Sequence, residues 1–259
     1  MNDLILLPAS EQAVDVEAAL DALATRYKGA GGVGIDLLNM LGAQAGGLLS
    51  KLPAKVRDGL QDATVTALGQ AMKVAHTSRG VVADQPGWLN SAVSTAMGAA
   101  GGFGGLPTAL AELPVTTTLL LRVIEGVAAE HGFDPAADSV RFDCVQVFAA
   151  AGPLEHDDSA DLAFLSARAA LSGAAVQAVI SRVAPRLAVV LGQKLAAQAV
   201  PVLGAVAGAA TNYAYTSYYT DIAHVHFGLR KLAIEADCTH EELVEKLRAR
   251  MQALPVKRA

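Results

Sequence analysis

Two stretches decide how this chain is read: residues 85–111, QPGWLNSAVSTAMGAAGGFGGLPTALA, and residues 195–220, LAAQAVPVLGAVAGAATNYAYTSYYT. Neither contains an Asp, Glu, Lys or Arg. Each exceeds the roughly 20 residues that a membrane-spanning helix needs. Both are interrupted, the first by Pro86, Pro107 and the glycine run 101–105, the second by Pro201 and the polar Thr211-Asn212-Tyr213. Large aliphatic residues are sparse in both. Small residues let helices approach closely, so Gly204, Gly208 and Asn212, at four-residue intervals, predict a packing seam. Residues 85–111 and 195–220 are therefore read as Ala/Gly-rich central helices of a buried core, with contact to a bilayer or a true span as the alternatives.

Composition agrees with this reading. The 259 residues include 52 alanines and 24 glycines, and only 17% are charged, against about 25% in an ordinary globular domain. That excludes disorder, which needs low hydrophobicity and high net charge. A net charge of −5 with no basic run argues against nucleic acid as a partner. Cys144 and Cys238 lie far apart and suggest neither a disulfide framework nor a zinc site. No basic residue precedes the apolar run Leu4-Ile5-Leu6-Leu7, so a cytoplasmic location is expected, peripheral at the inner membrane if lipid is the partner.

Strand signals are weak and helix signals frequent. Ser10 is read as the N-cap of a helix over 10–28, stopped by Gly29. Val56, Leu60, Ala67, Ala71 and Val74 have helical spacing over 53–79. Pro114 at a first turn and Gly132 past an end predict a helix over 114–131. Asp138 precedes Val140, Cys144, Val147 and Phe148 over 139–151. Further helices are read over 159–180 and 183–200, and Thr239 with Glu242 forms a capping box ahead of Leu243, Leu247 and Met251. Nothing divides the chain, and the reading is an all-α, single multi-helix domain over 1–259.

Three blocks recur in a characteristic order: Gly101-Gly102-Phe103-Gly104-Gly105-Leu106-Pro107 followed by Glu112-Leu113-Pro114; Lys194 through Asn212; and Asp221-Ile222-Ala223, His226-Phe227 and Arg230-Lys231-Leu232. From about residue 87 to 232 the chain resembles the EcsC family, a bacterial family named after a gene product encoded beside an ABC exporter's subunits. The resemblance implies an α-helical fold with a small-residue core and a link to membrane processes, without an agreed activity or cofactor. The positions that match its pattern are Glu112, Pro114, Arg122, Arg168, Lys194, Pro201, Gly204, Asn212, Asp221, His226, Phe227 and Arg230; Gly208 is counted with the structural positions. His224 stands where many relatives carry a basic residue.

The residues themselves leave alternatives open. His224 and His226 are no chelating pair on a helix, since i and i+2 point about 200° apart. Asp221 shares a face with His224, and His226 with Arg230. Glu112 before Pro114 reads either as an N-terminal cap or as a charge in a glycine-lined pocket. Arg122 and Glu125 read as a surface pair. Tyr213, Tyr215, Tyr218 and Tyr219 read as a core end with hydroxyls reaching water, or as the rim of a lipid site. Phe103, Leu106, Asn212, Tyr215 and Tyr219 are the lipid-binding candidates.

Two functions of different class follow. One is a non-enzymatic protein that associates with membrane or lipid and serves an envelope or transport process, with a protein partner in that system and no cofactor. The other is a metal-dependent or acid–base hydrolase built on Glu112, Asp221, His226 and Arg230. A helical partner-binding protein, marked by exposed apolar patches, is a third reading.

Overall fold

The computed structural model describes residues 14–30, 87–103, 105–149 and 201–253, with nine helical positions between 54 and 77. Six helices are described: α1 (Val16–Gly29), α2 (Gly87–Phe103), α3 (Gly105–Glu130), α4 (Asp138–Ala149), α5 (Pro201–Glu235) and α6 (His240–Ala253). No strand occurs among the described residues, and the fold is all-α. The expected helices over 159–180 and 183–200, with Arg168 and Lys194, lie outside the described residues, as does the glycine-rich stretch beyond Ala30.

Local chemistry explains where the helices begin and end. The Asp15 carboxylate accepts from the Ala18 N–H at 3.1 Å and caps α1, so the start lies at Asp15 rather than at Ser10. Thr239 caps α6 as its spacing predicts, accepting from the Glu242 N–H at 3.3 Å. Gly132, at φ 86°, ends α3, and the Phe133 N–H reaches back to the Ala128 carbonyl at 3.0 Å. Asp237 does the same after α5 with φ 49°.

α3 departs from the sequence reading. It starts at Gly105, and Pro114 lies inside it. The proline that sits where a helix tolerates a missing N–H is Pro107, in the first turn, whose donors are unpaired anyway. Pro114 leaves the Leu110 carbonyl without its usual donor. Glu112 is thereby about two turns into a helix, and its reading as an N-terminal cap is corrected. Among the positions between 54 and 77, Ala71 is buried as expected, but Val74 is half exposed.

α5 is the spine. Its 35 residues extend about 50 Å, and α1, α2, α3, α4 and α6 all pack on it. One core joins Leu120, Ile124 and Val127 of α3, Val140, Val147 and Phe148 of α4, and Tyr219, Ile222 and Phe227 of α5. A second joins Leu20 and Ala24 of α1, Val225, Leu229 and Leu232 of α5, and Leu243, Val244 and Leu247 of α6. Three of the four clustered tyrosines belong to the first core; only Tyr213, 41% exposed, reaches the surface. The Tyr219 hydroxyl donates to the Phe148 carbonyl at 3.2 Å rather than to water, and burial pushes that phenol's pKa up.

α2 makes its contact with the uncharged half of α5 along the expected seam. A Cβ on Gly98 would lie 2.2 Å from the Gly208 carbonyl oxygen and 2.9 Å from Asn212 Cγ. Backbone therefore meets backbone there. Polar side chains fix the register: Asn212 Nδ2 donates to the Ser94 carbonyl at 2.9 Å and Thr216 Oγ1 donates to Ser94 Oγ at 2.8 Å, all three residues being buried. No helix of the described residues is long and apolar enough to cross a membrane.

Gly98→Ala has no flexible atom to push aside and is expected to cost about 3 kcal/mol, at the upper end of overpacking penalties. Gly126→Ala, at a helical position with nothing within 4 Å of the new methyl, should instead add about 0.5–1 kcal/mol. Urea unfolding of the two variants checks both signs.

Candidate functional site

Polar and titratable groups gather on the charged half of α5. Residues 221–235 supply Asp221, His224, His226, Arg230, Lys231 and Glu235, whereas residues 201–220 supply no charged residue and no histidine. Helical geometry sends them to different neighbours.

His226 and Arg230, one turn apart, both face Asp143 on α4. Arg230 Nη1 donates to Asp143 Oδ2 at 2.5 Å, and His226 Nε2 lies 3.5 Å from Asp143 Oδ1. The guanidinium also lies 4.6 Å from the centroid of the Phe133 ring and donates to Ser139 Oγ at 3.4 Å. Burial alone would raise the Asp143 carboxyl pKa. The neighbouring His226 and Arg230 outweigh it and hold the carboxyl below its ordinary value. His226 is only 3% exposed and its ring packs edge-on against Phe227. The arrangement ties α4 to α5 and gives a substrate no open face of the imidazole.

His224 points elsewhere. Its Nδ1 is 3.0 Å from Nε2 of His131, in the turn that follows α3, and its Nε2 is 3.8 Å from Glu130 Oε2. Burial, then the charge of Arg26 and the neighbouring His131, lower His224 to a pKa of about 4. Burial, then Lys231 and Arg26, do the same for His131, also to about 4. Both rings are neutral at pH 7 and share a hydrogen bond. Where α1 passes, Gly228 brings α5 close: an added Cβ would sit 2.7 Å from Leu23 Cδ2. Beside it Asp221 faces a shallow open groove with Asp21, Ala22, Thr25, Arg26 and Gly29 of α1.

The hydrolase candidates are thus dispersed. Asp221 lines the α1 groove, while His226 and Arg230 face α4; five residues on one helix separate Asp221 and His226 by about 140°. Glu112 lies on α3; its side chain, those of Phe103, Leu106 and Pro201, and the surroundings of Gly204 are outside the described set. Asn212, Tyr215 and Tyr219, considered for lipid, are all buried. Arg122 is half-buried; Glu125 is 5% exposed, so that pair is not on the surface. Among the described residues no group of three or more His, Cys, Asp and Glu is placed to hold a metal ion. Sequence reading missed Asp143 and His131. Asp143 was hidden because α4 was read only for its apolar stripe, and His131 because it follows a helix end.

The comparisons with known proteins bear on the chain as a whole. A family model, described as the EcsC protein family, matches residues 58–232. No curated protein and no solved structure matches. The matched span takes in α2 to α4 and most of α5; α1 and α6 fall outside it.

Two measurements probe these clusters. Arg230→Ala leaves the Asp143 carboxylate without its closest partner and should cost about 2–3 kcal/mol at pH 7, less than for a fully buried pair. Because the Asp143 pKa is lowered in the fold, its contribution is complete above the ordinary carboxylate range and is lost as pH falls through the folded value. The stability deficit of Asp143→Asn should accordingly shrink on acidification, as followed by urea unfolding at stepped pH. The histidine pair acts in a different window. Its unfolded rings take up protons below 6.5 and its folded rings only near 4. Stability should decline from pH 6.5 towards 4, and His131→Gln/His224→Gln should flatten that decline.

Proposed function

The chain belongs to the EcsC protein family, and from that premise we propose that it is a non-enzymatic helical protein that lies against a membrane or lipid surface and serves an envelope or transport process. The supporting observation is the segregation of charge along α5. The half that packs on α2 carries no charged residue over about 30 Å, and the other half carries all of them. Of the exposed large apolar side chains among the described residues, Val93 on α2, Val115 on α3, and Val206 and Tyr213, seven residues apart on α5, are each more than 40% exposed, whereas Ile234, at 48%, lies on the charged half. Surface without charge and with an apolar fringe suits the border of a bilayer, where an exposed tyrosine places its ring in the apolar layer and its hydroxyl in water. We read the association as peripheral; among the described residues no helix is long and apolar enough to cross a membrane. A protein partner in a transport or envelope system would meet the same surface. The acid–base alternative draws less support, because Asp221 and His226 face different neighbours.

Flotation with vesicles of mixed zwitterionic and anionic lipid tests the proposal. The full chain should rise with the vesicles. Val206→Glu/Tyr213→Glu should lower the bound fraction by at least about tenfold, the loss expected when one apolar side chain no longer leaves water. A full chain that stays at the bottom with every lipid mixture would overturn the reading.

A further inference from the structure

Exposure along the uncharged half of α5 follows a narrow strip. Val206 and Tyr213 are exposed, and Ala209, Ser217 and Thr220 are half-buried. At 100° per residue these five positions fall within about 80° of one another. The neighbouring arc, Gly208, Asn212 and Thr216, is buried in the seam with α2. The strip is therefore a surface of α5 that α2 leaves uncovered, and its polar members are hydroxyls.

Charge is what the strip lacks. A helix that lies in a membrane interface ordinarily carries lysine and arginine on its polar face, and attraction to anionic headgroups supplies part of its binding. Residues 87–103 of α2 and 201–220 of α5 hold no charged residue and no histidine. The described bases lie on α1, α3, α4, α6 and the charged half of α5. Arg122 on α3, two turns beyond the exposed Val115, is half-buried and already engaged. The net charge of −5 adds no long-range pull towards an anionic surface.

Size is the second constraint. Among the described residues of that half, the exposed large apolar side chains are Val206 and Tyr213. Together they bring fewer apolar carbons than one myristoyl chain, which by itself holds a protein to a bilayer only marginally and reversibly. An anchor this small, without help from charge, depends on how easily it reaches the acyl layer. Tightly packed flat bilayers shield that layer with headgroups. Curvature opens gaps between headgroups, and interfacial helices respond to curvature and lipid composition.

Resting on the lipid-contact reading above, we propose that the ligand of this strip is a strongly curved, loosely packed bilayer, recognised through its packing defects and not through headgroup charge. Val206 and the Tyr213 ring enter the gaps, the tyrosine hydroxyl stays at the wet border, and Ala209, Ser217 and Thr220 are small enough to let the helix lie flush between headgroups. An anionic lipid adds nothing, because no base on the strip meets it.

The test is co-flotation of the full chain with phosphatidylcholine vesicles of two sizes, about 30 nm and about 200 nm, at equal accessible lipid. The small vesicles should bind at least about fivefold more protein. Adding anionic lipid, or raising salt from about 0.05 to 0.5 M, should change binding less than about twofold, since there is no ion pairing to screen. Val206→Ser/Tyr213→Ser, at two exposed positions, should remove the preference for small vesicles. Ser217→Lys/Thr220→Lys should gain about tenfold or more on anionic vesicles and become salt-sensitive. Wild-type binding that needs anionic lipid and is lost in salt, or that is equal on both vesicle sizes, would overturn this inference and leave the lipid contact standing. Binding to no vesicle would remove both. A dimer that Val206→Ser/Tyr213→Ser dissolves, without vesicle binding, would assign the strip to a second copy of the chain and overturn the proposal.

Discussion

The rest of the structure depends on the approach of α2 to α5 at Gly98 and Gly208. With no side chain on either residue, the Gly98 Cα faces the Gly208 carbonyl directly, and even a methyl group has no room. Such closeness is available only to small residues, and it explains why residues 85–111 and 195–220 are so poor in large aliphatics. Close-packed backbones gain dispersion contacts along their length but offer no bulky side chains to define register. Ser94, Asn212 and Thr216 supply that definition, since a slip of one turn would leave buried polar groups unpaired.

α5 passes from this dry seam to a polar region without a break. Its first half is held by backbone proximity and its second by specific pairs, Arg230 with Asp143 and His224 with His131. Side chains on one helix thus reach α4, the turn after α3 and α1 within about four turns. Any motion that rotated α5 would disturb the Asp143 contact and the histidine pair together, because both are read from the same helical register.

Much of this was legible from the residues. The uncharged segments announced their seam through Gly208 and Asn212, and helical angles placed His224 and His226 on different faces. Capping chemistry fixed the start of α6, because Thr239 and Glu242 act locally. The errors came where two local signals competed. Pro107 and Pro114 both offer a helix start, and single-sequence reading has no means to prefer the first. Asp15 likewise outcompetes Ser10. Long-range pairing was not legible at all: nothing near Asp143 in the sequence indicates that Arg230, 87 residues later, meets it. Glu125 looked exposed because Arg122, three residues before it, offered a surface ion pair.

The second core has a consequence for the order of assembly. It is made from α1, the end of α5 and α6, so residues near 20 meet residues near 247. Closing so long a loop is entropically costly, and contacts of this separation form slowly. On the ribosome, Val225, Leu229 and Leu232 emerge before the leucines of α6 that cover them. Until synthesis passes Met251, α5 presents an apolar face with half its cover, a period in which the nascent chain depends on α1 alone, or on a chaperone, to keep that face from others.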